Sequence, residues 1–387
     1  MRKLLIMKQT ARIISIYASD TAGVCSMLYE LGGMTVVHDA SGCNSTYSTH
    51  DEPRWYQQDS MIYISALTET DAILGNDARL VDDMVRAAEE LKPRFLALCG
   101  SPMPMMIGTD FDALAMELEN RTGLPVFGLH TNGMDSYLQG ASDALCAYLK
   151  RFCTDTEKQK RSVNIIGATP LDFSLNGSIS SIKTWLSGNG YDVVSCMAME
   201  SAPEEIAMAG KAAVNLVISS CGIAAAEYLK NRFGIPYVTG VPYGKKFADE
   251  LLPALKQAEE QGICLSPHTS RTAPEKGGVS VVGESITASS FAAALAADCG
   301  VPVRVLCPAA LQPAVLAPGD RVINCEDQIS AAFSESEIVF ADPLFEPVCP
   351  AGVRFIRYPH EAFSGRCFSG EIKNHICREL TREMFSL

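Results

Sequence analysis

Short apolar runs alternating with amphipathic helical patterns constrain this chain more than any other feature. Val163–Ile166, Asp192–Cys196, Val214–Ile218, Ile235–Val238, Val279–Val282 and Val303–Leu306 read as strands. Helical spacing fills the intervals; in Asp77–Leu91, the residues Leu80, Val81, Met84, Val85, Ala88 and Leu91 share one face. Apolar strands separated by helices of this length form parallel βαβ units buried on both faces. The expected class is α/β, with three Rossmann-like domains whose parallel sheets surround a central cleft. At 387 residues the chain suits two or three domains. Polar stretches at Thr154–Ser162 and Leu265–Gly278 serve as linkers, giving domains 1–153, 163–262 and 277–387.

The first domain is expected to hold strands Arg12–Tyr17, Met34–Val37, Arg94–Leu98 and Pro125–Leu129. Its helices are Cys25–Leu31, Asp77–Leu91, 110–122 and Ser136–Arg151, and Ser48–Asp59 reads as a long loop. The last domain adds strands Glu337–Phe340 and Val353–Arg357, then a C-terminal helix from Gly370.

Ligands in open α/β sheets collect beyond the carboxyl ends of strands, and two strand ends here carry cysteine. Cys43 follows His38-Asp-Ala-Ser-Gly42, and Cys99 enters Gly100-Ser-Pro-Met-Pro104, read as a non-helical loop. Ser19-Asp-Thr-Ala-Gly-Val-Cys25 could deliver a third thiol. Iron–sulfur clusters take thiolate ligands, usually four. Three loop thiols, and no Cys-x-x-Cys pair among 14 cysteines, point to a cluster completed across a subunit interface. The competing reading makes Cys25 a helix core residue and Cys99 the end of a buried strand. Cys146, Cys196, Cys299 and Cys307 fall in helical or strand patterns and read as small core residues.

Gly42-Cys43, Leu67-Thr-Glu-Thr-Asp-Ala-Ile-Leu-Gly75 and Met106-Ile-Gly-Thr-Asp110, in that order, resemble nitrogenase component 1. That superfamily includes the α and β subunits, their cofactor-assembly relatives and the dark-operative tetrapyrrole reductases. Asn215-Leu-Val, Phe233-Gly-Ile-Pro236 and Phe363-Ser-Gly365 resemble its second and third domains. The resemblance implies an iron–sulfur cluster of four irons or more, a homologous partner chain or a second copy, and a separate iron–sulfur ATPase as reductase. Register with the family puts Ser19 where the first cluster cysteine stands and Pro102 at the third. Cys25 lies six residues past the first position, Cys99 three before the third, and only Cys43 is in register. For a second metallocofactor the relevant residues are Cys221 and His360. Ser219 holds the register of the family's cysteine and His360 is one place out, so this second group is the weaker expectation.

The leading functional expectation is an electron-transferring component that reduces a substrate in the cleft. The alternatives are a scaffold for metallocofactor assembly and a small-ligand binder without redox activity. A net charge of −13 argues against nucleic-acid or anionic-membrane partners. The N-terminal apolar run, four residues before Lys8, falls short of a secretory signal, so a cytoplasmic location is expected. Gly240-Val-Pro-Tyr-Gly-Lys-Lys246 is one residue short of a phosphate loop and has lysine in place of the magnesium-binding hydroxyl. No Gly-x-Gly-x-x-Gly follows a strand, which leaves a nicotinamide cofactor without support.

Overall fold

The structure is a computed structural model that describes residues 11–42, 51–311 and 315–387. Among the described residues, thirteen strands form three sheets. The first contains β1 (Met34–His38), β2 (Met61–Ile64), β3 (Leu96–Gly100) and β4 (Val126–Leu129), in the order β2-β1-β3-β4. The second contains β5 (Ser162–Ile166), β6 (Asp192–Met197), β7 (Val214–Val217) and β8 (Tyr237–Thr239), ordered β6-β5-β7-β8. The third holds β9 (Val279–Val282), β10 (Val303–Cys307), β11 (Arg321–Val322), β12 (Ile338–Ala341) and β13 (Arg354–Arg357), ordered β11-β10-β9-β12-β13. Every pairing is parallel. The α/β class with three parallel sheets is as the sequence implies. Central strands β1, β3, β5, β7, β9 and β10 are buried along their whole length, as strands covered on both faces must be.

Local chemistry sets the helix ends. Side-chain oxygens of Thr68, Asp110, Ser136 and Glu284 accept from backbone N–H groups of the first turns they cap. Helix Asp20–Leu28 crosses helix Tyr137–Phe152 almost backbone to backbone. A Cβ on Gly23 would stand 2.0 Å from the Tyr137 carbonyl oxygen, and one on Gly140 1.8 Å from that of Asp20. This approach fixes Tyr137 at the junction of the units. In the second sheet, Asn215 accepts from Asn164 Nδ2 at 2.8 Å, so the head of Asn215-Leu-Val is a buried cross-strand polar link.

Several expectations are corrected. Arg12–Tyr17 is no strand. Tyr17 and its neighbour Ala18 instead donate backbone N–H groups to Phe363 and Ala362, tying the segment to the third unit. The first helix starts at Asp20, not Cys25. The Gly100–Pro104 stretch is not a loop, because a helix runs Pro102–Ile107. Prolines in a first helical turn forfeit only N–H groups that have no intrahelical partner. The C-terminal helix from Gly370 is also absent: a 3₁₀ segment ends at Glu371, and only Arg382–Phe385 is α-helical beyond it. Strands β2 and β11 and helix Glu326–Ser334 are additions to the expected elements. The second linker is partly packed, with His268 buried and Arg271 bonded to buried Asp320 at 2.6 Å.

Candidate functional site

A cleft of 1020 Å³ opens where the carboxyl ends of the first and third sheets converge. Asp39 and Ala40 follow β1, Pro102 and Met103 follow β3, and Gly133 to Ser136 follow β4; Pro308, Ala309 and Asn324 come from beyond β10 and β11. Leu171 enters from the second unit. Ser19, Gly42 and Pro102 all line this cleft. The fold therefore gathers the two register positions Ser19 and Pro102 with the residue preceding Cys43. Cys43 itself lies outside the described residues.

The two displaced thiols go elsewhere. Cys25 sits inside helix Asp20–Leu28 and Cys99 is the penultimate residue of β3, both with no exposed surface. They meet each other in the core beneath the first sheet. A hydrogen bond that the Cys25 thiol donates to Cys99 raises the Cys25 pKa well above its ordinary value, and burial adds to the shift. Cys99 Sγ also lies 3.8 Å from the Val36 carbonyl oxygen. A ligand must be thiolate, and ionising Cys25 in this dry setting is costly, while Cys99 is sealed in the core beside it. Cys25 and Cys99 do not fit as cluster ligands, and among the described residues no group of three or more His, Cys, Asp or Glu side chains is arranged to hold a metal ion. The described lining of the cleft offers instead four carboxylates, Asp39, Asp51, Asp135 and Glu361, and no cationic side chain. Tyr17 donates to Asp51. Glu361 accepts from Ser174 Oγ at 2.7 Å, and burial raises its pKa.

The residues expected at a second group do come near each other, around a side chain that sequence reasoning missed. Asp172 follows β5 on a short helix, Pro170–Phe173, and accepts from Tyr137 Oη at 2.5 Å. His360 Nε2 is 3.4 Å from the same Asp172 oxygen without the alignment of a hydrogen bond, and its ring stacks on Phe363 at 4.4 Å. Cys221 lies in the Ser220–Gly222 turn after β7, fully buried. Burial, then the negative charge of Asp172, raises its pKa well above the usual thiol value. Ser219 is equally buried beside it. Glu284, capping the helix after β9, accepts from the Ser220 N–H at 3.2 Å, and burial followed by the Asp172 charge raises its pKa. A buried thiol whose ionisation two carboxylates oppose is a poor ligand for a metal cluster. Asp172 and Glu284 stand just past strand ends, the one sequence signal that could have found them.

Three parallel sheets about a cleft at their carboxyl ends define the class, and family comparison agrees. The model of the nitrogenase component 1 type oxidoreductases matches residues 20–275, so the chain belongs to that family. It is 28% identical over 181 residues to the nitrogenase iron-molybdenum cofactor biosynthesis protein NifE of Clostridium pasteurianum, covering 46% of this chain and 39% of that protein. It is 25% identical over 230 residues to a light-independent protochlorophyllide reductase subunit of Heliobacterium modesticaldum, covering 59% and 44%. The matches thus span less than half the length of either relative. Among solved structures, nitrogenase Cp1 at pH 6.5 superposes with a TM-score of 0.60 at 16% identity, over 87% of this chain and 82% of that one. The same protein at pH 5 gives 0.58 at 19% identity, over 84% and 72%. No helix among the described residues is long and apolar enough to cross a membrane.

Proposed function

We propose that the chain is a ligand-holding component of a nitrogenase-like system, acting as a scaffold for metallocofactor assembly and not as an electron-transferring reductase subunit. One observation carries this reading. The cleft brings together Ser19, Gly42 and Pro102, while the thiols that would replace the missing ligands are sealed in the core. A hydroxyl and a proline cannot complete a four-thiolate set. Cys43 would supply one thiolate, and a homologous chain or a second copy the others. Four carboxylates in the cleft oppose an anionic cluster, so stable iron binding needs that partner. The similarity to NifE supports the scaffold role.

The second reading, a reductase component fed by an iron–sulfur ATPase, is favoured by the similarity to the protochlorophyllide reductase subunit. The experiment that separates the two is anaerobic purification of the chain with a homologous partner, followed by iron and sulfide analysis and a multiple-turnover reduction assay with the ATPase. A scaffold carries iron that Cys43→Ala removes, transfers it to an acceptor protein, and shows no turnover. Sustained ATP-dependent substrate reduction by the complex would sink the scaffold reading.

A further inference from the structure

The carboxyl edge of the first sheet carries an exposed apolar face. Helix Pro102–Ile107, beyond β3, buries only Pro104 and leaves Met103, Met105, Met106 and Ile107 in solvent, with Met106 79% exposed. Met134, beyond β4, is 66% exposed. It adjoins this helix, since a Cβ on the neighbouring Gly133 would stand 2.7 Å from Pro102 Cδ. Beyond β2, helix Glu69–Leu74 buries none of its residues and exposes Ile73 and Leu74 at 75% and 73%. Strands β2, β3 and β4 are parallel members of one sheet, so the three connections emerge along the same edge.

Methionine, leucine and isoleucine are ordinarily among the most buried residue types. The seven named here together expose about as much surface as four whole residues. At roughly 150–200 Å² for a whole residue of this size, that is about 600–800 Å². The largest apolar patch on a typical monomer is about 300–600 Å², whereas a standard interface takes about 800 Å² from each partner. Charge says which partner fits. Ser101–Thr109 contains no Asp, Glu, Lys or Arg. In a chain of net charge −13, such a stretch lets two copies meet without apposing like charges. It also offers nothing to a partner selected by opposite charge.

We propose that this edge is the interface with a second copy of the chain, related by a two-fold axis, so that each copy presents the same apolar face to the other. Met103 and Met134 also line the cleft, so the second copy sits across its mouth. Taking that copy as the source of the cleft's missing ligands rests on the scaffold reading, whereas the apolar contact itself forms without iron.

Sedimentation velocity of the iron-free full chain under reducing conditions should show a dimer at about 10 µM. Met106→Asp places a charge in each half of the contact and should weaken dimerisation about 100-fold or more. Because Met106 is exposed in one chain, its unfolding midpoint in the monomer should hardly move. Met105→Asp serves where Met106→Asp does not fold. Met208→Asp, on the second unit, should leave the dimer intact. A parent chain that is monomeric at this concentration, folded Met106→Asp or Met105→Asp that stays dimeric, or equal weakening by Met208→Asp would overturn the proposal. A chain that pairs only with a homologous protein would overturn it as well. The scaffold reading would then still stand, because iron content and transfer test it separately.

Discussion

Replacing Cys99 by alanine distinguishes a core thiol from a cluster ligand. Cys99 and Cys25 have no exposed surface and touch each other. Deleting one buried sulfur forfeits about one methylene equivalent of transfer free energy, ~0.8 kcal/mol. The void left behind, of roughly 25 Å³, adds ~0.6 kcal/mol at about 24 cal/mol per Å³. Each single alanine variant should therefore lose about 1–2 kcal/mol. Because the sulfurs are in contact, the double variant should lose less than the sum, by ~0.5 kcal/mol. Urea unfolding under reducing conditions reads this as a lower midpoint at constant slope. Iron analysis of the partner-complete protein should find the same iron in Cys25→Ala and Cys99→Ala as in the parent. Loss of most of the iron from Cys99→Ala, with an unchanged unfolding midpoint, would refute the core assignment and restore Cys99 as a ligand.

Arg54 is buried against Glu52 at 2.6 Å and Glu30 at 2.8 Å and donates to the Ser26 carbonyl oxygen, joining the 51–58 segment to the first helix. Arg54→Ala, which removes the cation from a buried network with Glu52 and Glu30, should cost about 3–5 kcal/mol in denaturant unfolding; a cost under ~1 kcal/mol would show the network to be dispensable. Burial, and then the Arg271 charge, push His268 down to about 3 from an ordinary 6.5. The unfolded chain gains that proton first as pH falls, so the contribution is complete above pH 6.5 and drains between 6.5 and about 3. His268→Gln should flatten the acid limb of stability against pH by up to about 1.4 kcal/mol per pH unit, and an unaltered slope would count against the assignment. In limited trypsinolysis, exposed Lys276 should be cut before Arg271, whose guanidinium is held by Asp320; first cleavage after Arg271 would mean that the second linker is open.

Where an element shows clear amphipathic or apolar periodicity, the sequence carries its bounds. Helix Asp77–Leu91 and strand β9 fall where periodicity places them. The failures have physical causes. Strand β11 pairs through only two residues and has no apolar run to announce it, whereas β2 does carry one, Met61-Ile-Tyr-Ile64, but it is only four residues long, lies at the sheet edge with Tyr63 exposed and directly follows a polar segment. Arg12–Tyr17 has the β-branched composition of a strand, but its end is hydrogen-bonded to residues 362 and 363 and not to a sheet.

The site shows how register and chemical preference compete. The cluster expectation rests on cysteines near the family positions, as though a nearby thiol could substitute. Six residues along a helix is a rise of about 9 Å and a turn of about 240° past one full revolution, which carries Cys25 from the cleft into the core. Cys99 lies inside β3 while Pro102, three residues on, opens the helix beyond the strand end, so Cys99 stays in the core beneath the sheet. No side-chain rotation recovers either distance. Position therefore outweighs residue type: Ser19 and Pro102, with no ligand chemistry, line the cleft that two thiols do not reach. The same geometry makes Asp172, Tyr137 and Glu284 hard to see, since they come from separate segments with no shared motif. What unites Asp172 and Glu284 is placement just after a strand end. A search of this chain by strand-end position, blind to residue type, would reach Asp172 and Glu284 before Cys25.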